Sequence, residues 1–182
     1  EYENLFATLK SMQANPSSLT YRTEFLSYAQ SISDYFNDIQ EKLSSLQQSA
    51  NTEVSNMMDR MNIISAQIAS INQQINTVEL TGKQANDLRD KRALMLDELS
   101  SIIPINVVET GDKDGRGHFK VECGGFTLVN DYHAHEFTLH TREDASNPYD
   151  IPGLYDIYYY YDEDSQSATK FDVQAMGLSG EL

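Results

Sequence analysis

FLSYAQSISDYFNDIQEKLSSLQQSANTEVSNMMDRMNIISAQIASINQQINTV, residues 25–78, is the stretch whose reading decides the fold. Taken in steps of four and three it lands on Phe25, Ala29, Ile32, Phe36, Ile39, Leu43, Leu46, Ala50, Val54, Met57, Met61, Ile64, Ile68, Ile71, Ile75 and Val78, every one apolar. That is a heptad seam, the pattern of a helix burying one narrow stripe against other helices. Leu46, Ala50 and Val54 are two steps of four in succession, a stutter that locally unwinds a supercoil. Neither proline nor glycine interrupts the run, so a continuous rod on the order of 80 Å long is expected.

The flanks frame this rod. Leu5, Phe6, Leu9 and Met12 share one face of a short helix at 1–14, which Asn15-Pro16 breaks. Ser17, Ser18 and Thr20 are possible N-caps for the long helix, expected over 19–79. Off the seam the rod is rich in Ser, Gln and Asn, with few of the Glu and Lys that encode parallel zippers, so antiparallel packing in a bundle is favoured. Gly82 supplies the stop and Asn86 the next cap, helped by Asp87 and Asp90. A third helix at 86–103 then presents Leu88, Met95, Leu99 and Ile102, folded back antiparallel over the seam from Val78 to about Met61. Arg89, Lys91 and Arg92 read as its solvated face.

After Pro104 the apolar period changes to two. Ile105–Glu109 precedes a turn at 111–115; Phe119, Val121 and Cys123 share one strand face and His118, Lys120 and Glu122 the other. Gly124-Gly125 turns into Phe126–Val129, and a further strand carries Phe137 and Leu139. A loop at 144–153 leads to a hairpin of 155–161 and 169–175 around an acidic tip at 162–167. The expected fold is therefore α+β: an antiparallel, coiled-coil-like long-helix bundle over 1–103, then a small antiparallel β domain over 104–182.

Composition limits function. The net charge is −15 over 182 residues, −5 in 1–103 (8 basic, 13 acidic) and −10 in 104–182 (5 basic, 15 acidic), which opposes nucleic acid or an anionic membrane as partner. No window of 18 apolar residues is present to span a bilayer. One Cys allows no internal disulfide. The chain opens on Glu1 without a leader pattern and reads as part of a longer protein.

Four histidines tempt a metal reading, but in a single strand over 133–140 His133 and His135 would face opposite to His140, and zinc needs three or four converging ligands. Cys123 lies on the apolar strand face, opposite His118, so it is read as structural rather than nucleophilic. Asp162-Glu163-Asp164 opens like a calcium loop, yet Ser167 and Val173 stand where an EF-hand needs Gly and Glu. Tyr158 and Tyr160 face opposite to Tyr155, Ile157, Tyr159 and Tyr161, and one of these faces could serve protein contact. The residues therefore assign no catalytic, metal or cofactor site and no enzyme activity.

Asn86–Ser100, NDLRDKRALMLDELS, resembles the segment after the long helix in the flagellar hook-associated protein 1 family, through Asn86, Asp87, Leu88, Asp90, Arg92, Asp97-Glu98-Leu99 and Ser100. Glu3–Leu9 followed by Asn15-Pro16, Gln67–Ile75, and Gly124-Gly125-Phe126-Thr127-Leu128-Val129 are similar to other parts of that family, in the same order. The resemblance implies an extracellular structural subunit of the bacterial flagellum, at the hook–filament junction and exported through the flagellar type III apparatus. It implies no cofactor, and as partners other copies of itself, neighbouring hook and junction or filament subunits, and an export chaperone. Cys123 departs from the habit of flagellar axial proteins, which tend to lack cysteine. The alternative reading is a coiled-coil binding or adhesion module that dimerises through its own seam.

Counting cover for the seam gives the one candidate site. The helix at 1–14 can shield roughly 21–35 and the helix at 86–103 the far end. Phe36, Ile39, Leu43, Leu46, Ala50, Val54 and Met57 lie between, and are expected to receive partner helices, which the resemblance places in the terminal segments of the intact protein.

Overall fold

The computed structural model describes residues 2–111, 117–160 and 168–172. Three helices come first: α1 (Tyr2–Ala14), α2 (Leu19–Glu79) and α3 (Asn86–Ile102). Seven strands follow: β1 (Asn106–Thr110), β2 (His118–Cys123), β3 (Phe126–Asn130), β4 (His133–Ala134), β5 (Phe137–Thr141), β6 (Tyr155–Tyr160) and β7 (Ala168–Lys170). They form two antiparallel sheets, β1-β2-β3-β4 and β5-β6-β7. The architecture is α+β, helices first and sheets second. The turn expected at 111–115, the hairpin tip at 162–167 and the strand beyond Asp172 fall largely or wholly outside the described residues.

Secondary structure changes type at 103/104, but packing divides the chain elsewhere, into compact units of 1–49 and 50–182. The physical reason is a large core within the second unit. It joins Met58, Met61, Ile64 and Ile68 of α2 to Leu99 and Ile102 of α3, and to Phe119, Val121, Leu128, Phe137, Tyr159 and Phe171 of both sheets. A second, smaller cluster of Ile71, Ile75 and Ala85 lies towards the α2–α3 turn, with Val78, Leu88 and Met95 against it. α3 runs antiparallel to α2, since Arg89 pairs with Glu79 and Glu98 with Arg60.

One helix serves two neighbours because its buried positions come as adjacent pairs. Ile64, Ile68 and Ile71 belong to the seam, while Ser65, Ala69 and Asn72, each one residue on, form a second buried stripe beside it. Met58 stands in the same relation to Met57. The small or polar members of the second stripe carry little hydrophobicity, so a search for apolar periodicity passes over them.

Within the first unit, α1 and the start of α2 are joined through a turn in which the Ser18 N–H bonds Asn15 O, at 3.1 Å. Ser18 takes the N-cap position of α2, its Oγ 3.5 Å from the Tyr21 N–H. Leu5, Met12, Tyr21, Phe25, Ala29 and Ile32 are half-buried, whereas Phe6 and Leu9, expected on the inward face of α1, are exposed.

At the other end of α2, Gly82 adopts φ 79°, the left-handed geometry a helix stop favours. The N-cap of α3 is Ala85, with no side-chain cap, and Asn86 is already helical; the Asn86 cap is thus corrected. Gly124 and Gly125 (φ 55° and 88°) turn β2 into β3 as a two-residue loop that needs positive φ at both positions. The single strand imagined over 133–140 is instead two, β4 and β5, in different sheets.

Candidate partner-helix interface and a clamp in the second unit

The seven candidate residues divide by environment. In the first unit Phe36, Leu43 and Leu46 are 54%, 57% and 66% exposed, and Ile39 is half-buried. Among described residues 2–49 no hydrophobic side chain is buried; Thr8 is the only buried residue. Its Oγ1 donates to Asn4 O, so even that burial serves the local backbone. In the second unit Ala50 is exposed, while Val54 and Met57 are partly buried against the core, so those two already have cover within the chain. The seam residues Phe25, Ala29 and Ile32 are half-buried, and of the next four, Phe36, Leu43 and Leu46 are exposed while Ile39 stays half-buried.

The second unit is held by polar contacts that the apolar pattern does not reveal. Asn62 donates from Nδ2 to Phe137 O and accepts the Phe137 N–H at Oδ1, both at 2.9 Å. Asn51 does the same for Gly153 O and the Tyr155 N–H, at 3.0 and 2.9 Å. Each amide thus takes one strand or loop N–H and one C=O, groups costly to bury unpaired. Asn72 donates to Asp131 O at 2.7 Å and accepts from Arg92 Nη1 at 2.9 Å.

Arg92 is buried, which corrects its assignment to a solvated face; Arg89 is half-buried, and Lys91 alone of the three is exposed. Position 92 falls between Leu88 and Met95 on the same inward face, so the series had a polar member that the search for apolar landings skipped. The guanidinium lies 3.9 Å over the Phe119 ring and donates from Nη2 to both Glu109 carboxylate oxygens at 2.9 and 3.1 Å. Arg89 grips Glu79 with two bonds of 3.0 Å and reaches Glu109 with a third. Arg89 hydrogen bonding holds the Glu79 carboxyl below its usual range. Desolvation alone would raise Glu109, but Arg92 and Arg89 outweigh it and hold that carboxyl low.

Asp131 anchors the far side. Its φ of 51° is unusual for a residue other than glycine. Oδ1 accepts the Phe119 N–H and Oδ2 contacts His118 Nδ1, while its own N–H bonds Phe119 O. These contacts over-determine the left-handed backbone.

The remaining tempting residues are dispersed. Cys123 is buried and its thiol is pushed up to about 11 by desolvation, the inert condition of a core cysteine. His135 leans on Tyr159, His140 on Tyr158, and His118 on Asp131. Among the described residues no three His, Cys, Asp or Glu side chains come together to hold a metal ion. No described helix is long and apolar enough to cross a membrane. Ile157 and Tyr159 are buried, with the Tyr159 hydroxyl donating to Thr127 O at 2.7 Å, and Tyr158 is half-buried. The acidic tip read as a failed calcium loop lies outside the described residues.

The model of the flagellar hook-associated protein FlgK helical domain matches residues 1–182, the whole chain. The chain belongs to this family. It is similar to flagellar hook-associated protein 1 of Bacillus subtilis (strain 168), 31% identical over 100 residues, which is 55% of this chain and 20% of that protein. It is also 24% identical over 131 residues to flagellar hook-associated protein 1 of Escherichia coli (strain K12), 71% of this chain and 23% of that one. The flagellar hook junction protein FlgK from Burkholderia pseudomallei has the same fold, with a TM-score of 0.78 and 22% identity, covering 97% of this chain and 30% of that structure. The chain thus spans between a fifth and a third of the length of these relatives. The segment Asn86–Ser100 contains the clamp residue Arg92, buried on Phe119.

Proposed function

We propose that this chain is part of a structural, non-catalytic axial subunit of the bacterial flagellum, positioned extracellularly at the hook–filament junction after export through the flagellar type III apparatus. Its partners in this reading are other copies of itself and the neighbouring hook and junction or filament subunits, with a chaperone during export. The whole-chain family match supports the axial role. The observation that carries the mechanism is a helical unit, residues 2–49, without one buried hydrophobic side chain.

Helices stay folded by burying an apolar face, and each large side chain left wet forgoes about 1.5–3 kcal/mol. Phe36, Ile39, Leu43 and Leu46, continued on α2 by Ala50, Val54 and Met57, form the stripe that receives helices from other segments of the same subunit. Val54 and Met57, already partly covered, form its margin. The clamp and the asparagine anchors hold the sheets on the second half of α2 and leave the seam of the first half as docking surface.

The test is Leu43→Lys with Leu46→Lys in the intact subunit of a motile bacterium. Both sites are exposed, so the isolated chain should melt within a few degrees of the parent, while the intact subunit fails to join hook to filament. Normal filament assembly by the double variant would overturn the assignment of the stripe.

A further inference from the structure

The sheet β5-β6-β7 has two unlike faces. Phe137, Leu139, Ile157 and Tyr159 belong to the core side, so the alternation puts Thr138, His140, Asp156, Tyr158 and Lys170 on the other. Across that outer face His140 pairs with Asp156, and Tyr158 stands between Thr138 and Lys170. Arg142 continues the alternation past the end of β5, its N–H bonding Leu154 O at 2.7 Å. With the loop at 143–146 these residues line a cavity of about 520 Å³, within the size range of small-ligand sites.

The side chains of this face hold one another in place. Asp156 Oδ1 accepts from Arg142 Nε at 3.1 Å, and Oδ2 from Lys170 Nζ at 2.9 Å. Arg142 Nη1 donates to Ser146 Oγ at 3.2 Å, which ties the loop to the sheet. The His140 ring stands at 86° to Tyr158 with 5.2 Å between centroids, and its Nε2 lies 3.3 Å from Thr138 Oγ1. Groups fixed in this way on strands form a preorganised surface.

The lining selects the ligand. Its polarity disfavours an apolar molecule, which would strip water from charged groups and give nothing back. Its described residues set Arg142 and Lys170 against Glu143, Asp144 and Asp156, an excess of negative charge that disfavours a phosphate or carboxylate. Donors and acceptors alternate around an aromatic ring, the complement of a sugar. Sugar hydroxyls both donate and accept, and the C–H face of the ring rests on the negative face of an aromatic side chain. We propose that this cavity binds a neutral saccharide, one sugar ring lying against Tyr158 with its hydroxyls bonded to Asp156, Arg142 and Lys170. The activity does not depend on the stripe of α2, so either assignment can fail while the other stands.

Amide-resolved NMR titration of the 182-residue chain tests it, with methyl glucoside, methyl galactoside and N-acetylglucosamine as probes and N-acetylneuraminate and sulfate as charged controls. At least one neutral probe should give saturating shifts at His140, Asp156, Tyr158 and Lys170, with a Kd on the order of 1 mM. Tyr158→Leu keeps apolar bulk on the sheet, removes the aromatic face and should weaken that binding about ten-fold. Lys170→Ala, at an exposed position, should weaken it about three-fold. Tyr35→Ala removes an exposed aromatic of the first unit and should leave it unchanged. No saturating shift with any neutral probe would overturn the site, and so would binding that either cavity variant leaves unaltered. Tighter binding of N-acetylneuraminate or sulfate than of the neutral probes would overturn the ligand class.

Discussion

Arg92→Ala is the most informative perturbation of the second unit. The Arg92 side chain is 8% exposed, whereas its partner Glu109 is 46% exposed, so the ion pair must be valued as a half-solvated one. Glu109 also keeps Arg89, and its loss is set at about 1 kcal/mol. Asn72 Oδ1 loses its donor, another ~1 kcal/mol, and the stacking on Phe119 contributes about 1 kcal/mol more. These effects share one side chain and are not additive in detail, but a loss of about 3 kcal/mol follows. For a unit of this size that lowers the melting temperature by roughly 10 °C. Lys91→Ala, one residue away and exposed, should change stability by less than about 0.5 kcal/mol. Calorimetry of the two variants beside the parent decides the matter. Equal melting temperatures for Arg92→Ala and Lys91→Ala would refute the clamp.

Acid should weaken the same contacts. Glu79, Glu109 and Asp156 all have folded pKa values held below the ordinary carboxylate range, so their contribution is complete above the unfolded value of about 4 and is lost as pH falls through the folded ones. Denaturant titrations should therefore give flat stability from neutrality to about pH 5 and a decline below it, shallower in Arg92→Ala; identical acid slopes would argue against the linkage. Asn62→Ala strands the N–H and C=O of Phe137 and should cost about 2 kcal/mol, read as a shift of the urea midpoint at unchanged slope. Cys123, buried and with its thiol raised to about 11, should resist a thiol reagent at pH 8 in the native chain and react at once in denaturant; fast native labelling would contradict its placement.

How far the sequence carried the fold depended on how regular each signal was. The long helix was legible because sixteen apolar landings repeat without a miss, and Leu99 and Ile102 were legible as its antiparallel cover for the same reason. β2 and the Gly124-Gly125 turn follow from alternation and from a geometry only glycine adopts readily. What stayed hidden was polar. Asn51, Asn62 and Asn72 lie beside the seam and work through backbone hydrogen bonds, which leave no apolar trace. Arg92 was missed because a long cation on a helix is usually solvated, and its partners Asn72, Glu109 and Phe119 are remote in sequence. The break at His135-Glu136, which sends β4 and β5 into separate sheets, has no proline or glycine to mark it. The stripe on α2 was placed by counting cover from helices alone; Phe36, Leu43 and Leu46 are exposed and Ile39 half-buried, whereas Val54 and Met57 lean on a core to which the sheets contribute.

The central claim is that the stripe on the first half of α2 is a docking surface for helices of the same subunit. Amide exchange over Phe36–Leu46, compared between this chain and the intact subunit that contains it, tests this most directly. The account predicts that protection over those residues rises by at least about a hundred-fold in the intact subunit, as exposed leucines become core. Equal exchange in the two proteins, with Met61–Ile75 protected in both, would contradict it.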